Sequence, residues 1–362
     1  MTLPRTRLLL GRGLICLALA AVLAPATPIH AQTTIADPDA YREAKRAATA
    51  KFLDRTAPTA ERLAAAPKLG YPDEPTFARL LDLGTDRTQD DMIRWEALRR
   101  HRYDDRYVDA VLKILDDPQD GGEELDARLI DDLNRRTITL PPAQVRQEIQ
   151  RVFRKLLGDP RDKVRLFAYR AAVSNHDQVA VTQLADSLRR GRDFPVPLPE
   201  VIKLLDQDGA VNHVAALRPY LQHADRAVQA QAARALAVDP QSRPAIVALV
   251  RNPATPVAVR LNAVRALARE DAQFASYAIA MVEDASVDPA IRHAAMHGVA
   301  GRMNYAKLPP AEQVRFAEAV EKLAAAPSIK TGESVKIQES ARQLHFHLRQ
   351  SFPEIQKHYE TK

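Results

Sequence analysis

This chain of 362 residues has one cysteine, one tryptophan and only 5% aromatic residues. The cysteine, Cys16, lies in an N-terminal apolar run that we interpret as a cleaved signal, so the mature chain has no thiol. Without thiols a protein forms no disulfide, no thiolate metal site and no cysteine nucleophile. Few aromatic residues leave few platforms on which the bases of single-stranded nucleic acid can stack. An exported chain of this kind must be stabilised by packing alone.

Catalytic motifs are also missing from the sequence. It has no Gly-x-Ser-x-Gly elbow, no phosphate-binding glycine loop and no dinucleotide fingerprint. Four aspartate pairs occur, and nothing in their spacing selects two carboxylates as a general acid and base, so we predict that they cap helices or face solvent. These pairs are Asp90-Asp91, Asp104-Asp105, Asp116-Asp117 and Asp131-Asp132. We therefore predict no catalytic residue, no cofactor and no metal.

The first 31 residues have the layout of a secretory signal peptide. Three arginines precede an unbroken apolar run, Leu14–Ala24, and Ile29-His30-Ala31 gives an imperfect small-residue exit. The run is shorter than the roughly 20 residues that a spanning helix needs, although a short membrane anchor is the alternative. We expect cleavage near Ala31 and a periplasmic or secreted bacterial protein with no stable membrane span.

The charge balance after cleavage is close to neutral. Removing the signal's three arginines from the 52 lysines and arginines leaves 49, against 46 aspartates and glutamates, a formal balance of +3. Charges of both signs at this density are typical of solvated helix faces. The charge therefore argues against a nucleic-acid partner.

A nine-residue pattern recurs along the chain and predicts its fold. Neighbouring copies are about 32 residues apart, a spacing typical of stacked supersecondary units that cannot bury their apolar faces alone. Small residues at the fifth position predict close helix packing. The copies are Ile93–His101, Val164–Ala172, Val228–Leu236, Val259–Leu267 and Ile291–Val299, with weaker copies near Leu125 and Val196.

Aspartate, asparagine and proline precede the copies, as they precede the first turn of many helices. A second helical segment follows each copy, so the repeating unit is helix, turn, helix, turn. The sequence predicts an all-α protein, an α-solenoid of stacked helix-turn-helix repeats. We predict four parts: a signal peptide at 1–31, an N-terminal helical cap at 32–90, a repeat array at 91–305 and a C-terminal helical cap at 306–362.

The copies resemble the HEAT-repeat family, especially its short bacterial members. The resemblance rests on Val164-Arg165, Val259-Arg260 and Ile291-Arg292, with Val228-Gln229 as a departure, and covers about 91–299. It implies a curved scaffold that holds protein partners. In the family the second-position arginine commonly pairs with an acid near the inter-helix turn, which here implies Asp159, Asp225 and Asp284.

The seventh position of the pattern forms a basic column. Stacked repeats would align its side chains as a ridge that either docks an acidic partner or forms a polar ladder between repeats. We favour the ladder. The residues are Arg99, Arg170, Arg234, Arg265 and His297.

One histidine pair has a spacing that could chelate a metal. His293 and His297 are four residues apart and share a helix face, but no third ligand is evident in the sequence. We predict an exported HEAT-like scaffold that mediates protein–protein interaction and expect no catalysis. The alternatives are an enzyme with its site in the concave groove and, less favoured, a nucleic-acid-binding repeat protein.

Overall fold

The computed structural model describes residues 38–101, 104–137, 142–209, 212–270, 273–305, 308–326 and 332–361. Its contacts divide the chain into a first unit that ends at Asp73 and a second unit from Glu74 to Lys362. The predicted signal peptide, with Cys16, lies outside the described residues.

The first unit is helical. It contains α1 (Pro38–Leu53), α2 (Thr59–Ala65) and a 3₁₀ turn at Ala66–Lys68. Helix α2 forms in a stretch rich in proline because Pro58 precedes its first residue and Pro67 lies in the first turn of the 3₁₀ segment. At those positions the missing N–H costs no hydrogen bond.

The second unit carries every copy of the nine-residue pattern on a single layer of helices, which we call the motif layer. Each of these helices contacts the next one in the layer. The motif layer consists of α4 (Asp91–Leu98), α6 (Glu123–Thr137), α8 (Asp162–Ser174), α10 (Leu198–Gly209), α12 (Arg226–Ala235), α14 (Val257–Glu270), α16 (Pro289–Tyr305) and α18 (Gly332–Ser351).

A second layer is made of the helices between the copies, and each packs on the motif helix that follows it. Helix α11 is short and continues as a 3₁₀ turn at Arg218–Gln222. The second layer consists of α3 (Glu74–Thr85), α5 (Asp105–Asp116), α7 (Ala143–Leu156), α9 (Gln178–Arg190), α11 (Val214–Leu217), α13 (Arg243–Arg251), α15 (Phe274–Glu283) and α17 (Pro310–Ala325). A last helix, α19 (Pro353–Glu360), packs on α17 and α18.

The predicted fold class is confirmed: the second unit is an α-solenoid of HEAT-like helix-turn-helix repeats, and the described residues contain no strand. The alanines at the fifth pattern position are fully buried, which confirms the close packing that they predict. They are Ala97, Ala168, Ala232, Ala263 and Ala295.

Aspartate side chains begin several helices as the sequence predicts. The carboxylate of Asp90 accepts a hydrogen bond from the backbone N–H of Met92 at 2.8 Å. Asp104 does the same for α5 and Asp225 for α12. Each satisfies one of the N–H groups that lack a partner in the first turn. Asp90 and Asp104 belong to two of the four aspartate pairs, and each caps a helix as predicted.

Candidate functional site

The central part of the basic column lies in ion pairs between motif helices. Arg170 on α8 approaches Glu200 on α10 with 3.0 Å between Nη2 and Oε2. Arg234 on α12 approaches Asp206, also on α10, with 3.2 Å between Nε and Oδ2. Helix α10 is thus bridged to both of its neighbours, as a polar ladder between repeats requires. The first member, Arg99, lies just after α4 and instead contacts Glu96 of that helix at 2.7 Å.

The last two members of the column have different surroundings. Arg265 on α14 is exposed, and among the described residues no carboxylate lies within ion-pair distance of it. His297 on α16 places its Nε2 atom 3.0 Å from Nε2 of His293 and 3.0 Å from the hydroxyl oxygen of Ser340 on α18. The column therefore ends in a cluster of basic and polar side chains that has no paired acid in the described part of the chain.

Arg265, His293 and His297 line one groove between α14, α16 and α18. We call it the histidine groove. Its volume is about 580 Å³, within the range of small-ligand sites, and its lining contains no acidic residue among those that the structure describes. The lining residues are Leu261, Arg265, Ala268, Ala290, His293, Ala294, His297, Gly298, Lys336 and Ile337.

The two imidazoles of the groove are held in their neutral form. Burial, and then the positive charge of Arg265, lower the pKa of His293. Burial, and then His293, lower the pKa of His297. Because two lone pairs repel each other at 3.0 Å, one Nε2 carries a hydrogen that it donates to the other. The pair is therefore neutral at pH 7, and the lone pair of the accepting Nε2 atom is engaged in this hydrogen bond.

The second-position arginines have a structural role. Arg260 is 6% exposed, and its Nε donates to the backbone carbonyl of Val250 at 2.7 Å. Arg94 donates in the same way to Gly84, and Arg292 to Val282. Each arginine thus satisfies a carbonyl at the C-terminal end of the preceding second-layer helix, where intrahelical donors are missing.

Arg165 and Arg292 donate hydrogen bonds to backbone carbonyls rather than to the carboxylates that the family resemblance implies as their partners. Arg165 binds the backbone carbonyl of Asp159 at 2.7 Å. Arg292 is influenced by the charge of Asp284, although its hydrogen bonds go to Val282. Where glutamine replaces the arginine, Gln229 donates to the carbonyl of Leu221 at 2.8 Å. Arg94, Gln229, Arg260 and Arg292 therefore share one contact, in which a side-chain donor binds a carbonyl at the end of the preceding helical segment.

One buried carboxylate was not predicted from the sequence. Asp126 on α6 is 1% exposed; its Oδ2 lies 2.8 Å from Nη2 of Arg161, while Oδ1 has no hydrogen-bond partner among the described residues. Burial raises its pKa to about 6. The sequence signal is Gly121, where a Cβ would lie 2.0 Å from Oδ1, so only glycine allows the carboxylate to pack there.

One member of the predicted aspartate pairs departs from its predicted role. Asp132 is buried, and it accepts a hydrogen bond from the Tyr107 hydroxyl at 2.7 Å. Burial, and then this carboxylate, raise the pKa of Tyr107. The prediction of capping or solvation is therefore wrong for Asp132, because its helix turns that residue toward α5.

The part of the chain that the structure describes contains no group of three or more His, Cys, Asp or Glu side chains arranged to hold a metal ion. None of the described helices has both the length and the apolarity needed to cross a membrane. The sequence drew attention to His293 and His297 but not to Lys336 or Ser340, because α18 lacks the nine-residue pattern that would have aligned it with the column.

No family model matches this sequence, and no curated protein matches it. Among solved structures, the complex of CpcE and CpcF of phycocyanin lyase from Nostoc sp. PCC7120 is 18% identical over 83% of this chain and 94% of that chain, with a TM-score of 0.36. An engineered protein is 19% identical over 87% and 96%, with a TM-score of 0.41.

Human deoxyhypusine hydroxylase, solved in complex with glycerol, is 14% identical over 85% of this chain and 98% of that chain, with a TM-score of 0.30. These neighbours are helical-repeat proteins. At these identities and TM-scores the likeness carries no argument about activity, partner or location.

Proposed function

We propose that this protein is an exported helical-repeat scaffold that binds a protein partner through the surface of its motif layer. The observation that carries the proposal is the contrast within the basic column. Arg170 and Arg234 are engaged in ion pairs with α10, whereas Arg265 and Lys336 line a groove in which the described residues include no acid. Unpaired basic groups at a groove favour association with an oppositely charged surface.

The central test is capture of the partner from a native envelope extract of the host. The bait is the tagged protein, and the matched control is the Arg265→Gln, Lys336→Gln double variant, which changes only exposed side chains. The proposal predicts a protein that mass spectrometry finds enriched on the wild-type bait and depleted on the variant. Enrichment no greater than on the tag alone contradicts it.

Export is the second part of the proposal and rests on the basic and apolar layout of residues 1–31. The mass of the protein recovered from cells tests it. A chain shortened near Ala31 and found outside the cytoplasm supports export. An intact Met1 on a cytoplasmic product would overturn the location and restore a nucleic-acid partner as an alternative.

An enzyme is the second candidate, and one contact favours it. The 3.0 Å between Nε2 of His297 and Oγ of Ser340 is the separation expected of a nucleophile and its general base. Against this, His293 competes for the same nitrogen, and no described carboxylate orients the ring through Nδ1. A fluorophosphonate reagent separates the two candidates, because a mass increase on Ser340 supports the enzyme and an unlabelled Ser340 supports the scaffold.

A further inference from the structure

The histidine groove has the features of a binding site for one kind of ligand. Two side chains with permanent charge, Arg265 and Lys336, lie at its lining together with His293 and His297. Helix α14 contributes Arg265 to the lining, and α18 contributes Lys336. Arg269 on α14 and Glu339 on α18 are exposed and outside the lining, and α15, which also packs on α16, contributes no residue to it. The ligand therefore meets positive charge from two helices.

The remaining lining of the groove is apolar. Leu261, Ala268, Ala294 and Ile337 form its walls. A ligand that fits must combine an anionic group with a hydrocarbon part, since apolar walls gain from covering apolar surface. A carboxylate on an aliphatic stem has both parts, whereas a free phosphate lacks the hydrocarbon. A divalent cation is disfavoured because two fixed positive charges face it.

The histidine pair adds a dependence on proton concentration. When neutral, the two imidazoles share one hydrogen between Nε2 atoms 3.0 Å apart. A single added proton gives an imidazolium next to a neutral ring, and two coupled groups of this kind titrate as a pair. An anion in the groove stabilises that charged state, and the reciprocal effect is tighter binding of the anion as the pH falls.

We infer that the histidine groove binds a carboxylate-bearing segment of the protein partner, and that the His293–His297 pair takes up a proton when this segment binds. The inference rests on the proposed scaffold function, since it names the chemical group by which the partner is held. Aspartate and glutamate side chains and a chain-terminal carboxylate are the groups of this class that a protein partner offers.

The test uses the full chain and a fluorescent peptide of leucine, alanine and glutamate with a free C-terminus. Its control is the same peptide with glutamine for glutamate and an amidated C-terminus. Anisotropy is measured at about pH 5.5 and about pH 8, which bracket the usual histidine titration. We expect the acidic peptide to bind more tightly at the lower pH, and the control peptide to bind at least about tenfold more weakly. Equal binding of the two peptides would overturn the inference.

Variants separate the contributions of the charges and of the histidines. Arg265→Gln with Lys336→Gln should weaken binding of the acidic peptide about tenfold at both pH values. His293→Gln with His297→Gln should keep binding at about pH 8 and remove the pH dependence. A thermal melt checks that this variant folds. Should it not fold, the single variants His293→Gln and His297→Gln should each reduce the pH dependence, and they provide the same test.

Competition between inorganic phosphate and the acidic peptide is a further test. If phosphate displaces the acidic peptide at equal concentration, the groove is a site for small inorganic anions and the inference is wrong. Its failure can be told apart from failure of the scaffold. If wild type and the Arg265→Gln, Lys336→Gln variant capture a partner equally well, only the inference about the groove is wrong. If the acidic peptide binds but no partner is captured, only the proposed scaffold function is wrong.

Discussion

Arg234 on α12 and Asp206 on α10 form an ion pair across two neighbouring motif helices, with 3.2 Å between Nε and Oδ2. Arg170 and Glu200 form the matching contact on the other side of α10. These contacts support the ladder interpretation for the middle of the basic column. We propose the other interpretation, docking of a partner, only for the end of the column, where Arg265 lines the histidine groove.

The first prediction concerns the ladder. Arg170→Gln with Arg234→Gln should lower the melting temperature by about 1–2 °C, because two partly exposed ion pairs contribute together about 1 kcal/mol in a chain of this length. The control is Arg190→Gln with Arg251→Gln, two exposed arginines for which no described carboxylate provides an ion pair. If both double variants have the same melting temperature, the ion pairs on α10 do not stabilise the stack of repeats.

The second prediction concerns the buried arginines. Arg260→Met removes the donor from the carbonyl of Val250, so we expect the free energy of unfolding to fall by about 1–3 kcal/mol. Arg265→Met, on the same helix but exposed, is the matched control and should leave it nearly unchanged. Urea titrations of both variants measure the difference. Unfolding of Arg260→Met at the wild-type urea concentration would show that this hydrogen bond adds no net stability.

The third prediction concerns two glycines on α16. A Cβ at Gly298 would lie 2.6 Å from Cε1 of Phe274 and 2.7 Å from Cβ of Ala268. Gly298→Ala should therefore destabilise the protein by about 1–3 kcal/mol through overpacking. At Gly301 a Cβ meets no described atom within 4 Å, so Gly301→Ala should stabilise the helix by up to about 1 kcal/mol. Thermal melts should place the two variants on opposite sides of wild type.

The fourth prediction concerns pH and Asp126. Its pKa is raised from 3.8 to about 6 in the folded state, so the folded protein binds a proton more tightly there than the unfolded chain does. The stability contributed by Asp126 therefore increases as the pH falls from about 7 to below 4. At about pH 8 the ionised group costs at most about 3 kcal/mol.

Asp126→Asn removes this cost. We expect the variant to be at least as stable as wild type at about pH 8, with an advantage that declines toward about pH 5, where wild-type Asp126 takes up its proton. Urea unfolding of both proteins at several pH values measures it, and effects of other groups cancel in the difference. A difference that does not change with pH would mean that Asp126 titrates normally.

The helices of the repeat array follow closely from the sequence. Periodic apolar residues and aspartate or proline start signals predicted a second helix after each copy of the pattern, and α7 and α13 are two of these helices, because a helix in a stack repeats the same local rules. The last helix, α19, was not predicted. Pro353 follows the end of α18 and begins α19. The nine-residue pattern ends before Pro353, so the sequence does not indicate that the chain packs back on α17 and α18.

The candidate site follows from the sequence only in part. The seventh-position column was visible because its residues share a repeat position, and so was the His293–His297 pair. Whether each arginine meets an acid depends on Glu200 and Asp206 of a degenerate copy, whose register cannot be read from the pattern. Lys336 is about 40 residues beyond His297, and only the packing of α18 on α16 brings it to the groove.

The most direct measurement compares two double variants in two assays. Arg170→Gln with Arg234→Gln should melt at a lower temperature and still capture the partner. Arg265→Gln with Lys336→Gln should melt with wild type and lose the partner, more completely at low salt, where charges are screened less. The account is contradicted if the groove variant captures the partner as well as wild type does while the ladder variant loses it.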